Sequence, residues 1–304
     1  MSPSPLLVHG ALLLVSLIFG LNYVAVKLIL EQVPAATWMA VRIGLATVLL
    51  VPIAALTTRR RLPREALRWL LLAAFLGVGL NQILFAEGMA RTDSGHASLI
   101  NAGIPLFTLF FAVLARQEAF TPAKLLAIAT ALAGVLVLLR ADRILLGEAG
   151  GIDRERVLGD LLVLGNATSF SAFLVVMRHL GRSVDPLRST AFCFFFGGLM
   201  MVPWVWGDVT AATLELTLRP GVWPIVVFAV VGATVITYLL NGWALRHTHS
   251  SQVALYIYVQ PVVATAVSFL LGRERPDLRF FLAAGLVCSG ILVQQLPALL
   301  RRSA

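Results

Sequence analysis

Residues 105–137 read PLFTLFFAVLARQEAFTPAKLLAIATALAGVLV, and residues 261–293 read PVVATAVSFLLGRERPDLRFFLAAGLVCSGILV. Set at an offset of 156, they align Pro105 with Pro261, Glu118 with Glu274, Gly134 with Gly290, Leu136 with Leu292 and Val137 with Val293. Just upstream, the same offset carries Thr92 to Thr248 and Ser94 to Ser250. Each stretch lies in a half dominated by long apolar runs. Two hydrophobic halves that echo each other are the mark of a transporter assembled from repeats, with its substrate site where the halves meet.

Working outward, the 304 residues are 59% hydrophobic and only 13% charged. A soluble domain of this length needs more charged surface. The apolar residues fall in blocks of about 20, the length of helix that crosses ~30 Å of hydrocarbon. Ten candidate spans follow, at 8–30, 35–56, 69–88, 96–115, 123–139, 158–177, 187–206, 222–245, 252–272 and 280–299. The runs are continuous and do not alternate with polar residues, which favours helices over a β-barrel. The first block lacks a basic flank and a small-residue cleavage site, so it is read as a retained span and not a signal peptide. The fold class expected is an all-α membrane protein of ten helices, with residues 1–150 and 151–304 as its two five-helix repeats. Five is odd, so the second repeat must enter the bilayer upside down relative to the first.

The net charge of +9 sits in short segments between apolar blocks. No basic domain is available to lie on nucleic acid, and the charge is read as topology information. The loop after the second span carries Arg59, Arg60, Arg61 and Arg64, whereas the loop after the first carries no basic residue. That places the N-terminus in the cytoplasm, and with ten spans Arg301 and Arg302 are cytoplasmic too. Arg140, Arg143, Arg154 and Arg156 crowd one outer loop against this trend. Cys193 and Cys288 both lie inside apolar blocks, form no metal-ligand spacing and are read as packing residues, not a disulfide.

Phe19-Gly20-Leu21-Asn22-Tyr23 followed by Lys27, Arg42 in the second span, and the doubled Pro–Glu–Gly pattern of Pro105, Glu118, Gly134 and Pro261, Glu274, Gly290 resemble the drug/metabolite transporter superfamily, EamA-type branch. Gly159-Asp160 at the start of the sixth span fits as well. The resemblance covers nearly the whole chain. It departs from the usual pattern at Phe19 and at its counterpart Phe170, where the family commonly has tryptophan. What it implies is a ten-helix carrier of the bacterial inner membrane with a central cavity, moving small metabolites, often outward, with amino acids and their derivatives among common substrates.

Polar side chains at mid-membrane depth are costly and mark a pathway. Asn22 in the first span, Asn81, Gln82 and Phe85 in the third, Asn101 in the fourth, Asn166 and Ser169 in the sixth, Tyr238 and Asn241 in the eighth, and Tyr256 and Gln260 in the ninth are the candidate substrate-binding residues. Amides and phenols offer donors and acceptors together, which suits a zwitterionic or neutral polar ligand. The competing reading is that they hydrogen-bond helix to helix, at ~0.6–2 kcal/mol each. Thr234, Tyr238 and Asn241 recur at helical spacing and are expected to share a face.

Lys27, Arg42 and Glu87 are the candidate gating or ion-pair residues. Arg42, inside the second span, needs a partner, and Glu87 near the outer end of the third span is the expected one, with a substrate carboxylate as the alternative. Gly285 with Ser289, and Ala129 with Ala133, make small-residue faces suited to tight packing within the bundle.

The leading expectation is a secondary transporter working by alternating access and exporting a small polar metabolite such as an amino acid. An importer or exchanger of a sugar or other small metabolite in the same fold is the alternative. A membrane enzyme would need paired carboxylates, a metal cluster or an activated serine; none is found, and no catalytic residue, metal or cofactor is expected. A channel is disfavoured because no filter sequence appears, and nothing resembles a nucleotide-binding loop. The expected partners are a small-molecule substrate and the lipid bilayer. No Asp or Glu lies at mid-membrane depth, so proton coupling and passive exchange both stay open, as do monomer and homodimer.

Overall fold

The computed structural model describes residues 4–57, 62–92, 97, 100–138, 154–181, 183–270 and 278–300, and every regular element among them is helical. The long elements are α1 (Pro5–Leu30), α2 (Ala35–Thr57), α3 (Arg64–Met89), α4 (Ile104–Leu114), α5 (Pro122–Leu138), α6 (Arg154–Leu180) and α7 (Pro186–Val205). After them come a short α8 (Ala211–Thr217), α9 (Trp223–His247), a composite α10 and α11 (Leu278–Leu300). The composite α10 joins Ser250–Leu255, a 3-10 turn Tyr256–Tyr258, and Val259–Leu270. Among the described residues six helices are long and apolar enough to cross a membrane, and three further apolar helices are shorter.

The polarity of the bundle is that of a membrane protein. Val48, Phe110, Leu126, Leu199 and Leu292 point outward, while Asn81, Asn166, Thr234 and Thr237 are buried. Water would impose the reverse; a lipid surround accepts the leucines and drives amides inward to partners.

Local chemistry explains the ends. Asp185 caps α7 by accepting from the amides of Leu187 (3.0 Å) and Arg188 (3.4 Å), with Pro186 fixed at the first helical position. Thr210 and Thr213 form a reciprocal capping box on α8, a helix that sequence reading did not anticipate. The fourth span was expected as one helix over 96–115. A turn at Ala102–Gly103 instead precedes Ile104 and Pro105, and His96 lies outside the described residues. The ninth span is interrupted by the 3-10 turn just before Pro261. Proline removes the amide that would bond four residues back, so each break falls where the ladder is already open.

Helices α3 and α9 carry π-helical stretches, Phe75–Gly79 and Phe228–Ile236. Moved by the 156 offset, the first falls inside the second. Helix packing obeys the same correspondence, with α1, α2, α3, α4 and α5 matched to α6, α7, α9, α10 and α11. Helices α5 and α11 pair with each other, as do α2 and α7. The contacts of α6 with α3 and α4 are mirrored by those of α1 with α9 and α10.

The α5–α11 pair shows this at atomic scale. A Cβ on Gly134 would lie 2.8 Å from the Ala283 carbonyl, and one on Gly290 would lie 2.7 Å from that of Ala127, its counterpart. The expected small-residue faces are corrected here. Gly285, Ser289, Ala129 and Ala133 are not in this seam, because Gly285 has nothing near it and the others are exposed. Ala127, Ala131, Gly134, Ala283 and Gly290 form it.

Candidate functional site

A narrow hollow, with free space for about one water molecule, lies between α1, α6, α9 and α10, lined by Leu12, Val15, Ser16 and Phe19, by Phe170 and Leu174, by Asn241, and by Val253, Tyr256, Ile257 and Gln260. A second narrow hollow shares Phe170, Leu174 and Asn241 and reaches Phe173, Met177, Tyr238 and Leu245. The walls are aromatic and aliphatic, the polar groups are amides and hydroxyls, and no lining residue is charged. Such a chamber favours a neutral or zwitterionic ligand with an apolar portion.

The interrupted helix α10 shapes this site. Tyr256 sits in its 3-10 turn, where its hydroxyl meets His9 Nδ1 at 2.9 Å and its carbonyl accepts from Ser16 Oγ at 2.8 Å. Tyr238 lies edge-on to Phe194, with ring centroids 4.9 Å apart, and its hydroxyl donates to the Gly77 carbonyl at 3.4 Å inside the π-helical stretch of α3. Widened π turns leave carbonyls open to such outside donors.

Of the eleven expected binding residues, Tyr238, Asn241, Tyr256 and Gln260 line these hollows. Asn81 and Asn166 instead clamp α3 to α6: Asn81 Nδ2 donates to the Asn166 carbonyl (3.2 Å) and Asn166 Nδ2 to that of Asn81 (3.0 Å). Ser169 donates to the Leu76 carbonyl at 2.7 Å. Gln82 Nε2 donates to Asn81 Oδ1 at 3.0 Å. Phe85 is half-buried against the main apolar core. Asn22 Oδ1, Gln82 Oε1 and Asn101 Oδ1 are buried and have no hydrogen-bond partner among the described residues.

The clamp has a measurable signature. Asn81→Leu and Asn166→Leu are each expected to destabilise the protein by ~0.6–1.7 kcal/mol. The double variant should cost about the sum, because each side chain donates to a backbone carbonyl that the substitution leaves in place, so each change breaks one bond of the clamp only. Melting temperatures of the four proteins in one detergent close the cycle.

The expected pairing of Arg42 with Glu87 is not made. Arg42 is buried on α2, and its Nε donates to Thr234 Oγ1 at 2.8 Å. Glu87 is taken by Arg91 one turn on and by Trp204, whose indole donates to Oε1 at 2.7 Å. The cause is rotation of the helices: α2 turns the Arg42 face toward α7 and the π-helical stretch of α9. Thr234 therefore leaves the face it was expected to share with Tyr238 and Asn241. Its hydroxyl donates to the Ala229 carbonyl at 2.8 Å, five residues back, as a π turn permits. The side chain of Lys27 lies outside the described residues.

Sequence reasoning passed over Phe173, Leu174 and Met177, which with Phe170 supply much of the wall. Their spacing of three, four and seven from Phe170 is one face of α6, but in an apolar span that signal looks the same as a packing face. Phe19 and Phe170, singled out as departures from the usual tryptophan that bear on the cavity, stand in the same wall. Among the described residues no three His, Cys, Asp or Glu side chains gather to hold a metal.

The EamA-like transporter family model matches twice, over residues 6–140 and 157–294. The chain is 23% identical over 281 residues to the "Uncharacterized transporter YoaV" of Bacillus subtilis (strain 168), covering 92% of this chain and 93% of that one. It is 26% identical over 293 residues to the "Uncharacterized inner membrane transporter YedA" of Escherichia coli (strain K12), covering 93% and 89%. A solved crystal structure superimposes with a TM-score of 0.73 at 20% identity, over 96% of this chain and 98% of the other, which extends the likeness to the fold.

Proposed function

Because the chain belongs to the EamA-like transporter family, we propose that it is a ten-span secondary transporter of the bacterial inner membrane that exports a small polar metabolite such as an amino acid or a derivative. Residues 1–150 and 151–304 are its two inverted modules, both termini are cytoplasmic, and the cycle is alternating access. Support for two modules comes from the doubled family match, the 156 offset, the mirrored helix pairing and the paired π-helical stretches. Support for a central path comes from Asn22, Gln82 and Asn101, whose buried carbonyl oxygens meet no partner among the described residues, in a nonpolar medium where an unmet polar group is costly.

The observation that carries the reading is the chamber between α1, α6, α9 and α10, where Asn241 and Gln260 project amides from aromatic walls. The uncharged lining suits a zwitterion through its amide dipoles, with the apolar substituent against Phe19 and Phe170, once the hollow widens in the transport cycle. The mechanism needs no cofactor. Binding energy at the chamber lowers the barrier between two packings of the modules, and π-helical stretches and broken helices are the natural places for the backbone to yield. Counterflow in proteoliposomes, loaded in turn with amino acids, sugars and polyamines, tests the reading. Exchange of one class and not the others is the expected result. Exchange of none would remove the carrier assignment.

A further inference from the structure

Arg42 is a cation held inside the bundle without a carboxylate. It lies ~10 Å into α2 at 1.5 Å per residue and is 7% exposed. Its Nε donates to Thr234 Oγ1 at 2.8 Å. Among the described residues the terminal nitrogens Nη1 and Nη2 have no hydrogen-bond partner, and no carboxylate pairs with the group. Arg91, Lys124 and Arg246, by contrast, pair with Glu87, Glu118 and Asp185 in turn. A guanidinium keeps its charge in a protein, and an unpaired charge in a nonpolar interior is costly.

Attachment of helix to helix does not account for that cost. Elsewhere in this interior neutral groups make such attachments: Asn81 and Asn166 bond to each other's backbone, and Ser171 Oγ donates to the Ile104 carbonyl at 3.1 Å. A neutral donor would serve the Thr234 oxygen equally well. Nor does the duplicated framework require a charge at this place. Helix α7, the counterpart of α2, has no cation beyond Arg188 in its first turn.

The neighbours of the guanidinium are polar and incompletely bonded. Tyr238 lies within range of its charge. The Tyr238 hydroxyl is held by the Gly77 carbonyl at 3.4 Å, longer than an ordinary hydrogen bond, and Gln82 approaches it as well. Gln82 Oε1 is buried and has no partner among the described residues. Tyr238 also lines the second hollow beside Phe173 and Asn241. Arg42 is therefore one side chain removed from the wall, and that side chain is loosely held.

We infer that Arg42 is the carboxylate-recognition residue of the transport path, and that the substrates are small organic acids whose carboxylate it takes in place of a protein counter-ion. A carboxylate accepts two parallel N–H bonds from a guanidinium. With Nε on Thr234, the fork of Nη1 and Nη2 is free to give them. The Tyr238 hydroxyl supplies a further donor by turning from the Gly77 carbonyl to the same anion. The linings of both hollows hold no acid, so an ammonium group finds amide and hydroxyl oxygens but no opposite charge. The acid is the required part of the substrate, and the amine is dispensable. This rests on the carrier reading and names the group that its site selects.

Binding to the purified full-length protein in detergent is the test. The probes are phenylalanine, N-acetylphenylalanine and phenylalaninamide, which share an aromatic side chain suited to the Phe170 and Phe173 wall. The first keeps both charges, the second only the carboxylate, the third only the amine. Affinities are read from ligand-dependent melting shifts. In the wild type both acids should bind at least about tenfold more tightly than the amide, as a charge-assisted pair requires. Arg42→Gln should bring that ratio near unity. Arg42→Lys should weaken both acids by about tenfold, because an ammonium lacks the planar fork, and leave the amide unchanged. A helix tie alone would lower the melting temperature of the ligand-free variants and leave the acid-to-amide ratio where it was. An unchanged ratio in Arg42→Gln overturns the proposal, and so does a wild type that binds neither acid or shows no preference for them. Should Arg42→Gln fail to fold, Arg42→Lys carries the test, and acid affinities equal to wild type overturn it. Binding needs no transport, so absence of counterflow in the wild type would sink the carrier assignment while leaving the ratio to stand.

Discussion

Leucine at Gly134 or Gly290 is expected to leave little folded protein. The seam between α5 and α11 is built on those two positions, where even a single Cβ at Gly290 would lie 2.7 Å from the Ala127 carbonyl, 2.7 Å from Ala131 Cβ and 2.9 Å from its amide nitrogen. Backbone is the obstacle, so no rotamer change relieves it, and the helices must separate. Between helices in lipid there is no hydrophobic gain to compensate, because the tails are as apolar as the side chains. Overpacking by a methyl group already costs ~1–3 kcal/mol, so alanine should lower the melting temperature measurably and leucine should collapse the yield of monodisperse protein. Gly285 on the same helix has nothing within 4 Å, and Gly285→Leu should behave as wild type. Equal damage at all three positions would mean the seam is not where the helices meet.

Asn241→Leu and Gln260→Leu should each reduce counterflow by about tenfold or more while leaving melting temperature within a degree or two of wild type. Both changes nearly conserve volume, and neither side-chain amide is engaged in a bond that holds two helices together. What they remove is hydrogen bonding to a bound ligand, worth about 1–3 kcal/mol when the partner is left buried and unmet. Asn241 is the sharper test because it belongs to both hollows. Asn81→Leu is the contrast, expected to act first on stability through its clamp with Asn166. Full transport in Asn241→Leu and Gln260→Leu together would move the substrate path elsewhere, with Asn22, Gln82 and Asn101 as the next positions to probe.

Helical membrane class and family resemblance were legible in the sequence, because apolar run length is a one-dimensional fact with a direct physical consequence. The interruptions just before Pro105 and Pro261 were not, since the fourth and ninth spans were each read as one continuous helix. Partners were not legible. Arg42 was expected to meet Glu87 and meets Thr234, 192 residues on. Four of the eleven expected binding residues line the hollows, while Asn81, Asn166 and Ser169 bond helix to helix.

The physical reason is the solvent. In water, a helix shows which side faces inward by where its polar residues fall. In a bilayer the lipid-facing side is as apolar as the buried one, so a span such as α2 carries little in its pattern to set its rotation. Sequence alone therefore determined that this chain is built from apolar helices of a recognisable transporter family. Only the tertiary packing, through backbone approach at Gly134 and Gly290 and hydrogen bonds between distant spans, decided which way each helix turns and which polar groups were left facing the chamber.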